Sequence, residues 1–115
     1  MCAILLILVT ARAQAQLAPP RAAWHLRAML EVVAVPCLQD NYAWLLRCGE
    51  TRFTAVVDPS EAEPVLAAAK ARGWALDAIL CTHHHWDHVG GVADLATGDA
   101  RAPVFAHPMD AARIE

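Results

Sequence analysis

The chain has no basic excess: its 115 residues carry 9 Lys and Arg against 12 Asp and Glu. That leaves no electrostatic footprint for a nucleic-acid partner. It has no Cys-x-x-Cys pair either. The four cysteines, Cys2, Cys37, Cys48 and Cys81, are scattered, and Cys2 lies in a segment open to removal. Such spacing suits free thiols in a reducing compartment better than a disulfide framework. No apolar run is long enough to cross a bilayer; Cys2 to Val9 falls far short of the roughly 20 residues needed, so no membrane partner is expected. Internal repeats and low-complexity linkers are also missing. Hydrophobic residues make up 57% of the chain, much of the excess being alanine and that N-terminal run. The length fits one small domain.

Residues 1–28 admit two readings. The small-x-small patterns at Ala11 to Ala13 and Ala13 to Ala15 fit a signal-peptidase site, which would place the protein in the periplasm with residues 1–15 as a signal peptide. Yet no Lys or Arg precedes the apolar run, and the run is short for a signal core. The other reading, a cytoplasmic protein with a working start at Met29 and an N-terminal extension before it, fits the cysteines better.

What is present begins with strands. Leu30 to Val35 is valine-rich and reads as a strand ending at Pro36. Tyr42 to Arg47 reads as its hairpin partner across the turn residues Gln39, Asp40 and Asn41. Phe53 to Val57 is a third strand, closed by Asp58, Pro59 and Ser60. Ser60 and Glu63 are spaced as a capping box, and Pro64 suits a first helical position. The helix that follows has an apolar stripe of Val65, Leu66, Ala68 and Ala69 and a stop at Gly73. Ala78 to Cys81 is a short apolar strand. Gly91 to Ala96 reads as a helix, Pro103 to Ala106 as a strand, and Met109 to Glu115 as the start of another helix. Strand, helix, strand in that order implies a crossover in a sheet covered by helices.

The most informative segment is Thr82-His83-His84-His85-Trp86-Asp87-His88-Val89-Gly90-Gly91, directly after the apolar strand. Imidazole nitrogens and a carboxylate oxygen are the ligands that zinc selects. If the backbone stays extended past Leu80, His83 and His85 project from one side and His84 from the other, which makes His84 the weaker candidate. Asp87 and His88 follow once the chain has begun to turn, so they can face a second, adjacent metal position. Gly90 and Gly91 allow a sharp turn and a helix starting close by. A bare His-rich tag or adventitious metal binder fits poorly, because the run is internal and flanked by a strand and a Gly-Gly turn. Cys81 beside the run reads as a buried, inert thiol. His107, before Pro108, reads as a surface histidine, and His25 lies in the N-terminal segment.

The run resembles the His-x-His-x-Asp-His signature of the metallo-β-lactamase fold. Its fuller form, with Trp86 and the paired glycines, resembles the hydroxyacylglutathione hydrolases, or glyoxalase II. Asp40-Asn41-Tyr42-Ala43-Trp44-Leu45-Leu46 is similar to that family's opening strand, and Val56-Val57-Asp58-Pro59 to its second strand and turn. The similarity runs from about Met29 to the end of the chain. It implies an α/β fold: residues 29–115 would form the N-terminal, incomplete part of an αββα sandwich. It implies two zinc ions, with iron or manganese as alternatives, the first held by His83 and His85 and the second by Asp87 and His88.

The same resemblance implies no catalytic side chain beyond a hydroxide shared by the ions, and a glutathione thioester as the small-molecule partner. Asp58 would orient the metal loop through hydrogen bonds, or serve only as a turn residue before Pro59. Asp40, Asn41 and Tyr42 read as turn residues. Further ligands that the family carries downstream have no counterpart here, so the chain by itself is expected to be inactive. Other enzymes of the fold (a β-lactamase, a lactonase, a persulfide dioxygenase) and a non-enzymatic remnant are the competing readings.

Overall fold

Alternating side chains set the first two strands of the computed structural model, which describes residues 29–114. The two readings of residues 1–28 therefore fall outside the described residues. β1 (Leu30–Cys37) buries Val35 and Cys37 and exposes Val32, Ala34 and Pro36. β2 (Asn41–Cys48) buries Ala43 and Leu45 and exposes Tyr42 and Trp44. The two pair antiparallel, from Leu30 opposite Cys48 to Cys37 opposite Asn41. β1 runs through Pro36 rather than ending there. It is the edge of a five-stranded sheet with the order β1-β2-β3-β4-β5, and an edge strand has only one neighbour to supply with hydrogen bonds.

β3 (Thr54–Val57) pairs antiparallel with β2 and parallel with β4 (Ala78–Leu80). The connection between the parallel strands is helix α1 (Ala62–Ala71). The capping box does not form. Glu61 is the N-cap without a side-chain cap bond, and Pro64 stands third in the helix, where a missing N–H costs nothing. The Glu61 carboxylate instead accepts the Leu38 N–H at 2.7 Å. Val65 and Ala69 are buried against the sheet with Ala62 and Ala68 beside them, whereas Leu66 is exposed. One residue past Val65 is about 100° around the helix, off the buried stripe. Gly73, at φ 66°, ends the helix as expected, with its N–H on the Lys70 carbonyl and that of Trp74 on the Ala69 carbonyl.

After β4 come α2 (Trp86–Val89), which the sequence pattern did not signal, and α3 (Val92–Thr97). β5 (Val104–Phe105) then pairs parallel with β4, and α4 (Pro108–Ala111) is one turn, shorter than expected. Val35, Leu45, Val56 and Ile79 from the sheet pack with Val65 of α1 and Val92 and Leu95 of α3 in one core. The helices thus cover one face, while Val32, Tyr42 and Trp44 are exposed on the other side of the hairpin. This is one sheet and one helical layer, half of an αββα sandwich. No helix among the described residues is long and apolar enough to cross a membrane.

The paired glycines do something other than permit an unusual turn. Both have negative φ, −57° at Gly90 and −92° at Gly91. What they permit is close packing: a Cβ at Gly91 would lie 2.6 Å from the Ala62 nitrogen and 3.0 Å from the Pro59 carbonyl oxygen. Gly91→Ala should therefore cost about 1–3 kcal/mol through overpacking, read as a lower urea midpoint at unchanged slope.

Candidate metal centre

β3 and β4 end side by side, and the polar residues just beyond them face one another. Asp58 follows β3 in the left-handed region, φ 48°, which aspartate tolerates better than most residues. It is 7% exposed, and its N–H donates to the Leu80 carbonyl at 3.0 Å. Its carboxylate takes both donors of Thr82, the N–H at 2.8 Å and the hydroxyl at 2.6 Å. Asp58 thereby ties the end of β3 to the start of the His-rich loop.

The Thr82 hydroxyl has one proton, which goes to Asp58. His83 Nδ1, 2.8 Å from the same oxygen, must then be the protonated nitrogen, leaving Nε2 with the lone pair. His88 Nδ1 lies 3.4 Å from the Asp58 carboxylate and Nε2 3.5 Å from that of Asp87. The His83 ring is 4.3 Å from that of His88 and 4.6 Å from that of His85, centroid to centroid. Asp58, His83 and His88 bring ligand-type atoms within 4.8 Å of one another, the one such group of three among the described residues. His85 and Asp87 flank it without joining it. Both Asp58 oxygens already serve Thr82, so within this group Asp58 orients, while His83 and His88 offer ring nitrogens of the kind zinc takes.

Asp87 is held by three hydrogen bonds from two residues. Asn41 Nδ2 donates to its carbonyl at 2.7 Å and to its carboxylate at 3.3 Å, and the Ser60 hydroxyl donates to the same carbonyl. The hydrogen bond from Asn41 is the main reason its carboxyl stays below the usual range, with the neighbouring His88 and His85 adding to it. It is ionised wherever a metal could bind, and its contribution to stability is lost only as pH falls through that lowered value. Asn41 and Ser60, read from sequence as turn and cap residues, are therefore supports of the loop. Contacts across 46 and 27 positions leave no local signal.

His84 is bonded elsewhere, although its ring stands edge-on to that of His85 at 5.3 Å, centroid to centroid. Its Nδ1 is 2.5 Å from Asp110 Oδ1 and its Nε2 3.3 Å from Arg113 Nη1. His107 is exposed and caps α4, its Nδ1 accepting from the Met109 N–H at 3.3 Å. Cys81 is buried, and burial, with the Asp58 charge behind it, pushes its thiol up to about 11. It should resist alkylation at pH 8 until the chain is denatured. Because folding raises this pKa, stability should fall as pH climbs from about 9 towards about 11. Cys37 and Cys81 are free thiols as expected; Cys48 is disulfide-bonded, which corrects that expectation.

The family model of the metallo-beta-lactamase superfamily matches residues 39–113. The chain belongs to the metallo-beta-lactamase superfamily. Every residue of the centre, from Asn41 to Arg113, lies inside the match. Among curated proteins, a hydroxyacylglutathione hydrolase of Photorhabdus laumondii is 57% identical over 63 residues, 55% of this chain and 25% of that protein. One from Cereibacter sphaeroides is 54% identical over 93 residues, 75% of this chain and 36% of that protein. The chain thus spans about a quarter to a third of such relatives. Two solved structures are similar to this chain in fold. BLEG-1 B3 metallo-beta-lactamase has a TM-score of 0.57 at 27% identity, over 70% of this chain and 38% of that one. TTHA1623 in a di-iron-bound form has 0.55 at 38%, over 71% and 40%.

Proposed function

We propose that the protein hydrolyses glutathione thioesters, converting an S-2-hydroxyacylglutathione and water into glutathione and a 2-hydroxy acid such as lactate. The convergence of Asp58, His83 and His88 at the strand ends carries this reading, and the names of its relatives support the substrate class. His83 and His85 would hold one metal ion and Asp87 and His88 a second, with Asp58 orienting the loop between them. Zinc suits these donors, and iron or manganese can take the same set. When bound, such ions supply a nucleophile from water near neutral pH and draw charge from the thioester carbonyl.

The chain's own residues prepare that chemistry. The Asp58–Thr82 pair fixes the His83 tautomer. Asn41 keeps Asp87 ionised and in place. A C–O bond forms, the C–S bond breaks, and the departing thiolate is a good leaving group, so no strong general acid is required.

We also infer that residues 1–115 alone turn over no thioester and bind zinc weakly. They offer two of these ligands per ion where a catalytic zinc takes about three. We place the protein in the cytoplasm, which suits the free thiols of Cys37 and Cys81; the Cys48 disulfide suits the alternative, the periplasm if residues 1–15 direct export. The reaction is tested by zinc titration and hydrolysis of S-lactoylglutathione, by residues 1–115 and by the full-length protein. Turnover by the full-length protein alone supports both statements. Tight stoichiometric zinc binding and turnover by residues 1–115 would overturn the second. Hydrolysis of a β-lactam but of no thioester would overturn the first.

A further inference from the structure

Three histidines stand in a row, and the middle one has partners on both ring nitrogens. Arg113 has only donors, so His84 Nε2 must accept from it, and Nδ1 must carry the proton that meets Asp110 Oδ1. Both nitrogens of His84 are therefore engaged, and neither is available to a metal. The partners come from the far end of the fold: Asp110 lies on α4, 26 positions along the chain, and Arg113 lies 29 positions along. α4 is tied to the fold by Ile114 just beyond it, which packs against the core, and the Arg113 N–H lies on the Asp110 carbonyl at 2.8 Å. The His-rich loop is pinned at Thr82 by Asp58 and at His85 by the His88 N–H, at 2.9 Å. His84 supplies the pin between them.

We propose that His84, Asp110 and Arg113 form a positioning strut that fixes the backbone between His83 and His85 and so sets the metal affinity of that pair. The strut rests on the metal-site reading given above. His84 touches neither ion nor substrate; it acts through the two residues bonded to it. Loss of a partner that orients metal ligands lowers metal affinity about 10–100-fold, and that is the size of effect expected here.

The test is made in the full-length protein with Zn2+ for affinity and Co2+ as a spectroscopic probe. His84→Ala and Asp110→Ala should each weaken Zn2+ binding by about 10-fold or more and change the visible Co2+ spectrum. The double variant should be little worse than either single one, because both remove one contact. Asp110→Asn, which keeps an oxygen for Nδ1–H, should restore most of the affinity. Independently of any metal, imidazole 15N spectra should show His84 protonated at Nδ1 and lose that preference in Asp110→Ala. If Asp110→Ala does not fold, Arg113→Leu tests the other end of the strut, with a smaller loss in the same direction. Unchanged affinity and Co2+ spectrum in these variants, while His83→Ala abolishes binding, would overturn the strut and leave the metal site standing. Full metal binding by His83→Ala would overturn both.

Discussion

His83→Ala or His85→Ala should strip most of the metal from the full-length protein and abolish nearly all hydrolysis, whereas His84→Ala should keep a measurable fraction of both. The difference comes from what each ring meets. The His83 and His85 rings lie edge to face at 4.6 Å, centroid to centroid, and His83 joins the group with Asp58 and His88. His84 has both ring nitrogens on Asp110 and Arg113 instead. Losing a ligand should exceed the about 10–100-fold that loss of an orienting partner costs, and His84→Ala should fall within that range. Elemental analysis after gel filtration, at matched protein concentration, measures it directly. Metal loss in His84→Ala as complete as in His85→Ala would contradict this assignment.

Asp58→Ala should be the most destabilising single change in the centre, at about 2–4 kcal/mol. Loss of the acceptor for both Thr82 donors costs about 1–3 kcal/mol. Alanine in the left-handed region that Asp58 occupies, φ 48°, adds about 1 kcal/mol more. Asp58→Asn keeps an oxygen for the Thr82 N–H and tolerates the same backbone, so it should cost only about 1 kcal/mol. Urea unfolding of the metal-free protein separates the two. Equal costs for alanine and asparagine would reduce Asp58 to a turn residue with no hold on the loop.

Much of this was legible in the chain because the informative patterns are local. Alternation located both hairpin strands and separated His84 from its neighbours. Gly73 marked the helix stop, and the run from Thr82 to Gly91 marked the site. What escaped depends on partners far along the chain. Ser60 looked like a helix cap, but its hydroxyl bonds the Asp87 carbonyl 27 positions later. Asn41 looked like a turn residue, yet it holds Asp87 across 46 positions. Leu66 was counted on the apolar stripe of α1 from residue type alone, and helix geometry turned it outward. The glycines at 90 and 91 were rightly singled out for the wrong reason: their neighbours, not their own dihedral angles, demand them.

The pairing of β3 with β4 also bears on how the chain finds its fold. Apart from Thr54, these short strands are apolar on both faces, so burial of the other residues discriminates weakly between neighbouring registers. In the native register Val57 stands opposite Leu80, which brings Asp58 beside Thr82. Sliding one strand by a single residue moves it about 3.3 Å, enough to break both carboxylate bonds and strand a buried charge. The polar pair that prepares the metal loop is thus also a proofreading device, rejecting mispaired sheets before any ion arrives.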